Sequence, residues 1–308
     1  MSHVIQTQVN CASAKEFLES LSPLGPFFKD LGLGETWLFR GQGSDWPLVP
    51  SALRDDGKLA ALTQRDIQDY DERLRAERDV LIDFFEVADR RGLILPDDSQ
   101  ELRSRLETLR SPRGDRFITY DSEGWGTSAH LLSLAALAQH YGVPTRLLDW
   151  TRRSFTAAFF AAEDALKNSL SGSLVVWAFY FPLFGKHDDV SRGTDRLRVV
   201  TAPSATNANL RAQQGAFTLL NPIYLEEREP PFMSMERMLE ESETHVTDPD
   251  QYESEWLVIN CRLRKFTVPA SEALNVLHLL AKFDVLPSVI YPGYASIVNE
   301  LKLRMAWK

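Results

Sequence analysis

A chain of 308 residues with 44% hydrophobic and 25% charged side chains has the composition of an ordinary globular protein and can bury a large core. Its formal charge of −9 argues against broad electrostatic capture of nucleic acid or an anionic membrane, while leaving room for a local basic cleft. Cys11 and Cys261 fit no metal or redox spacing, no basic–apolar–small leader opens the chain, and no run reaches the ~18 apolar residues of a membrane span. The expectation is a soluble protein of the reducing cytoplasm.

The segment ASAKEFLESL reads as a helix capped by Ser13, with Phe17, Leu18 and Leu21 on one face. A stretch rich in Pro and Gly, Pro23 to Gly34, leads into WLFRGQ, an apolar strand that ends on Arg40 and Gly41. Pro47 and Pro50 break the segment behind it into loop. Residues 65–91 form the most charged helix, with Ile67, Tyr70, Leu74, Leu81, Phe84, Phe85 and Ala88 on its apolar face and Gly92 as its stop. A shorter helix follows over 99–110.

From residue 127 the pattern is dense. TSAHLLSLAALAQHYG is an apolar helix that starts at Thr127/Ser128 and stops at Gly142, TRLLDW is a short strand, and SFTAAFFAAEDALK is a buried helix beginning near Ser154. GSLVVWAFYF, continuously apolar and rich in β-formers, is a central strand. LRVVTA, GAFTLL and EWLVINCRL supply further strands, with an acidic helix over 234–243 between the last two. SEALNVLHLLAKF reads as a helix, SVIY as a strand and ASIVNELKLRMAW as the closing helix. No repeat or low-complexity tract divides the chain. The expectation is a single α+β domain over 1–308, with a mixed or antiparallel β core and an N-terminal helical elaboration. Its core motifs lie at 36–54, 127–166 and 210–220, with a helical insertion at about 60–125.

Three stretches carry polar residues between apolar elements, where they are costly unless they satisfy one another or a ligand. The first is Phe39-Arg40-Gly41-Gln42 at the end of a strand. The second, QHYGVPTRLLDWT, holds His140, Tyr141, Arg146, Asp149, Trp150 and Thr151, and runs into a helix whose first residues are Ser154 and Phe155. The hydroxyls of Thr151 and Ser154 sit at a helix terminus suited to an anion or a sugar hydroxyl, with simple capping by Ser154 as the plain alternative. In the third, Gln213 and Gln214 precede Gly215 and a strand, where glycine allows close approach of a ligand. Internal pairing is open for two of these residues: Arg146 with Asp149, or Arg40 with Asp149.

WLFRGQ, then ALAQHYGVPTRLLDWT with AAFFAA behind it, then RAQQGAFTL, resemble the FRG domain family in order and spacing, over about residues 10–300. LAKFDVLPSVIYPGYASI is similar to the family's closing pattern, although YPGYAS stands where an acidic sequence is more usual. A more distant resemblance is to ADP-ribosyltransferases of the Arg-Ser-Glu type. It implies a split-sheet β core and NAD as substrate, with no metal. It also implies a macromolecular acceptor, protein or nucleic acid, and a role as a toxin or phage-defence effector. On that resemblance Arg40 stands in the arginine position, Thr151 or Ser154 in the hydroxyl position, and Gln213 or Gln214 where the catalytic Glu is expected. Asp149, or Glu253/Glu255, is then the substitute carboxylate.

The residue types suit such a site. Arg40 can offer a forked pair to phosphate or ribose oxygens, with Gly41 clearing room for the dinucleotide backbone. Tyr141, Trp150 or Phe155 can stack on nicotinamide, and His140, Tyr141 and Arg146 are expected to line or brace the wall. A Gln in place of Glu favours a second class, a nucleotide or nucleic-acid binding module using the same cleft without chemistry. A third class, a hydrolase built on His140 and Asp149, lacks any HExxH or GxSxG motif to support it.

Overall fold

The computed structural model describes residues 5–28, 37–67, 69–110, 129–181, 191–193, 197–201, 208–220, 234–245 and 262–306. The first elements are β1 (Ile5–Asn10), α1 (Ala14–Leu21) and β2 (Trp37–Gln42). α1 begins where its cap signal places it: Ser13 Oγ accepts from the Glu16 N–H at 3.3 Å, and Phe17, Leu18 and Leu21 are buried. Helices α2 (Lys58–Thr63), α3 (Tyr70–Arg90), α4 (Gln100–Arg110) and α5 (Ala129–His140) follow. Asp69 caps α3, and Gly92 and Gly142, with φ of +67° and +92°, carry the chain out of α3 and α5 in a backbone region other residues resist. Then come β3 (Leu147–Thr151), α6 (Ser154–Lys167), β4 (Ser173–Tyr180), β5 (Ser191–Gly193) and β6 (Leu197–Val200). The chain continues through α7 (Ala208–Gln213), β7 (Gly215–Leu220), α8 (Met235–His245), β8 (Arg262–Pro269), α9 (Ala273–Ala281), α10 (Pro287–Ile290) and α11 (Tyr294–Ala306).

The strands form a mixed sheet in the order β1-β8-β4-β2-β3-β7-β6-β5, which is the α+β architecture expected. β1 pairs with β8 in parallel and the remaining neighbours are antiparallel. β4 is central, paired along its length with β2 on one side and β8 on the other. Its alternate residues Leu174, Val176 and Ala178 enter one core, and Val175, Trp177 and Phe179 enter another. Burial on both faces is why this strand reads as an unbroken apolar run. Between β2 and β3 the pairing shrinks to one register pair, Phe39 opposite Thr151. The sheet is split there.

α1, α6 and α9 cover one face, packing around Phe39, Val176, Ala178, Phe266 and Val268. α6 is the closest to the sheet, because Ala157 and Ala161 meet Gly41 without side chains between them. A Cβ built on Gly41 would lie 1.9 Å from the Ala157 carbonyl oxygen. On the other face Met235 and Leu239 of α8 pack with Leu48, Trp150 and Trp177. α3, α4 and α5 form a third cluster that closes on Leu147, Phe217 and Leu219 at the β3/β7 end.

Several sequence readings change. SVIY is the single helical turn α10, not a strand. Pro287 occupies its first turn with φ already suited to a helix, and the Tyr291 N–H donates to the Pro287 carbonyl at 2.9 Å. Of the strand expected at EWLVINCRL only Arg262 and Leu263 are described, and they open β8, which runs on to Pro269; residues 255–261 lie outside the described residues, as do Thr127, Ser128 and Glu253. β1, β5 and α2 were not foreseen; none is longer than 6 residues. No helix among the described residues is long and apolar enough to cross a membrane.

Candidate functional site

Past Phe39 and Thr151, where further backbone pairing would run, a side chain takes over. Arg40 Nη1 donates to the Asp149 carbonyl at 2.9 Å and to Asp149 Oδ1 at 2.6 Å. The guanidinium therefore bridges the parted strands. Gln139 Nε2, from the last turn of α5, donates to the same Oδ1 at 3.3 Å, and Thr145 Oγ1 donates to Gln139 Oε1. The cleft over this gap measures about 460 Å³. Phe39, Arg40 and Gly41 of β2, Gln139 and His140 of α5, Asp149, Trp150 and Thr151 of β3, and Gln213 of α7 line it. Phe160, Glu163, Asp164 and Lys167 of α6, with Tyr291 beyond α10, complete the wall.

The cleft is carboxylate-rich. The Asp149 side chain is 60% exposed, yet it stands inside a concavity crowded by protein. That crowding pushes its carboxyl up, but the Arg40 charge and hydrogen bond, helped by Arg54, prevail and hold it below the usual carboxylate value. Asp149 is thus ionised at neutral pH. Arg40, in turn, is largely neutralised by its partner, and its Nε is buried with no hydrogen-bond partner among the described residues. It is therefore not the free anion anchor the strand end suggested. Across the cleft Tyr291 Oη donates to Glu163 Oε2 at 2.7 Å, and Lys167 Nζ stands 3.1 Å from Glu163 Oε1. Burial and the Glu163 carboxylate push the Tyr291 phenol far up, so it stays a protonated donor. Burial lowers His140, favouring the neutral ring whose Nε2 accepts from the Asn209 amide at 2.7 Å.

Phe39, Arg40, Gly41, His140, Asp149, Trp150, Thr151 and Gln213 converge on this cleft, and the other sequence candidates among the described residues do not line it. Arg146 is buried beneath β3 and pairs with Glu77 of α3, not with Asp149 or a ligand. Its Nε lies 2.8 Å from Glu77 Oε2, in ion-pair range although misaligned for a hydrogen bond, and its backbone N–H donates to Glu77 Oε1 at 2.7 Å. Tyr141 is 70% exposed and meets only the edge of His140 among the ring contacts of the described residues. Gln42 is buried inside the sheet, and Gln214 is an exposed turn residue at φ +48° whose carbonyl accepts from the Arg152 N–H. Ser154 neither caps α6 nor faces the cleft; its Oγ donates to the Leu21 carbonyl at 2.6 Å. Ser154 and Phe155 instead line a separate apolar hollow between α1 and α10.

Within the cleft several roles also shift. Gly41 makes room for α6, and the Ala157 backbone takes up the space assigned to a ligand. Trp150 is core, its Nε1 donating to Thr218 Oγ1 at 2.9 Å. The Thr151 hydroxyl is committed: it donates to the Gln213 carbonyl at 2.6 Å and accepts from the Arg153 N–H at 3.1 Å. It ties the end of β3 to α7. The Gln213 amide donates to the Ile290 carbonyl at 3.4 Å.

Glu163, Asp164, Lys167 and Tyr291 were missed. The first three recur with Phe160 at the helical spacing 160, 163, 164, 167, a polar stripe on an otherwise Ala-rich helix that was legible in the sequence. Tyr291 left no such trace, since only the fold brings it to α6. Among the described residues no group of three or more His, Cys, Asp or Glu could hold a metal ion.

Fold and site together define an α+β protein with an acidic cleft where a mixed sheet splits between two antiparallel strands. Residues 35–169 match the FRG domain model, a stretch that runs from β2 through the helical insertion and β3 to the end of α6. An FRG domain is thus indicated over the segments that supply Arg40, Asp149 and Glu163; Gln213 and Tyr291 come from outside it. No curated protein and no solved structure matches the chain.

Proposed function

We propose that the cleft binds NAD and that the chain is an ADP-ribosyltransferase-like enzyme modifying a macromolecular acceptor, in a toxin or phage-defence setting. One observation supports this reading above the others: Asp149 is open to the cleft and kept ionised by Arg40. Breaking the nicotinamide–ribose bond passes through an oxocarbenium-like state whose positive charge a nearby carboxylate stabilises. In this reading Asp149 takes the part expected of the glutamate that Gln213 or Gln214 replaces. Arg40 orients Asp149 and keeps its proton off; Thr151 fixes Gln213 without touching substrate. Glu163, held by Tyr291 and Lys167, provides a second carboxylate in the same cleft and is the group best placed to take a proton from the acceptor.

The mutual neutralisation of Arg40 and Asp149 favours a second reading, in which the cleft recognises a nucleotide or nucleic acid without chemistry. Nicotinamide release from NAD, followed with the purified chain and candidate acceptors, separates the two. The enzyme reading expects release that Asp149→Asn lowers by about 10²-fold or more. A rise in melting temperature with NAD but no nicotinamide released selects the binding reading. No heat of binding at millimolar NAD overturns both for this ligand.

A further inference from the structure

α11 is inverted relative to the usual surface helix. Tyr294, Ile297, Val298, Leu301 and Met305 recur at helical spacing and are between 46% and 90% exposed. The face turned to the body carries Ser296 and Glu300, with Leu303 as the apolar residue of α11 that packs against the core. Ser296 and Glu300 are buried, Ser296 Oγ donates to the Gly293 carbonyl at 2.5 Å, and Glu300 accepts from Ser288 and Arg304. An amphipathic helix packing on its own core turns its apolar stripe inward. Here specific hydrogen bonds hold the stripe outward, so it is reserved for another surface.

We propose that this stripe is a self-association surface on which α11 pairs with α11 of a second copy, antiparallel about a two-fold axis. The spacing is self-complementary. An axis crossing the helix between Asn299 and Glu300 sets Tyr294 opposite Met305 and Val298 opposite Leu301, so ring meets thioether and branched chain meets branched chain. Pairing also aligns the two helix dipoles antiparallel. A membrane surface fits less well, because interfacial helices carry a Lys/Arg-rich polar face. The polar face of α11 is turned inward around Glu300, and the chain carries a net −9. Five such side chains leave on the order of 500 Å² of mostly apolar surface, the size at which a patch is functional rather than incidental. Two copies then bury on the order of 1,000 Å², at the low end of specific interfaces, so the dimer is concentration-dependent, half-formed at roughly 1–100 µM.

Sedimentation velocity of the full chain across that range tests it. The expected result is a sedimentation coefficient that rises with concentration, and a monomer at every concentration for Leu301→Glu, whose melting temperature stays at the native value because the side chain is exposed. In the double variant Y294C/M305C, oxidation yields a covalent dimer through crosslinks between positions 294 and 305. A native chain that is monomeric throughout, or a dimer that L301E leaves intact, overturns the proposal. So does flotation of the monomer with anionic phosphatidylserine vesicles that L301E abolishes, which assigns the stripe to lipid.

Discussion

Replacing Arg146 with Met tests whether the helical insertion is fastened to the site by charge. The Arg146 and Glu77 side chains are 5% and 1% exposed, and Glu77 also accepts the Arg146 backbone N–H at 2.7 Å. Met keeps most of the volume but removes the guanidinium, leaving a carboxylate in apolar surroundings. Burial already pushes the Glu77 carboxyl up, against the pull of Arg146. Breaking one side of a buried pair costs about 3–5 kcal/mol, a large part of the ~5–15 kcal/mol that holds a domain together. At roughly 2–4 °C per kcal/mol for a chain approaching this size, the melting temperature should fall by about 6–20 °C. The double variant E77Q/R146M should recover at least half of the loss, because an amide oxygen at position 77 still accepts the backbone N–H while no charge is stranded. Thermal melts by circular dichroism of the two single variants and the double variant give the coupling. A cost for R146M below about 1 kcal/mol, or losses that merely add, would refute the reasoning.

Gly41→Ala should be severe, since its Cβ would sit 1.9 Å from the Ala157 carbonyl and 2.8 Å from the Ala161 nitrogen, both backbone atoms of a packed helix. A loss exceeding ~3 kcal/mol, read as a lower denaturation midpoint in urea, is expected, and a near-neutral result would mean α6 lifts off β2 freely. Asp149 makes a pH-dependent contribution whose sign follows from its lowered pKa. The stabilisation is full above the unfolded value of about 3.9 and is lost as pH falls through the folded value. The melting-temperature gap between the native chain and Asp149→Asn should therefore be widest near neutrality and close in acid. With the side chain 60% exposed the gap corresponds to no more than about 1 kcal/mol, and a gap independent of pH would refute the assignment.

Much of the architecture was legible in the residues. α1 starts at its cap, α3 and α5 stop at their glycines, and α6 and β4 match their apolar patterns, because caps, periodicity and left-handed glycines act over a few residues, whereas α3 starts at Tyr70 behind Asp69 and not at 65. The meeting of Arg40 with Asp149 was among the open readings of two separated motifs, and the helical spacing on α6 carried Glu163 and Lys167 unnoticed. SVIY deceived because four residues after a proline, three of them β-forming, are too short to reveal a period, and Pro287 decides for a helical turn.

What the chain determines by itself is the set of elements and the faces they bury, since those depend on backbone preference and the rhythm of apolar residues. Tertiary structure alone decided the partners. Glu77 rather than Asp149 receives Arg146 because α3 folds back beneath β3 from 69 residues away. The Ala157 backbone rather than a ligand fills the space beside Gly41 because α6 settles directly on β2. Tyr291 reaches Glu163 only because α10 closes over α7, and α11 shows its apolar side outward only because Glu300 finds Ser288. Each of these rests on a long-range contact or on which side of a helix meets the body. Neither leaves a periodic mark on the sequence, and together they turn an apolar strand ending in Arg40 into one wall of an acidic cleft.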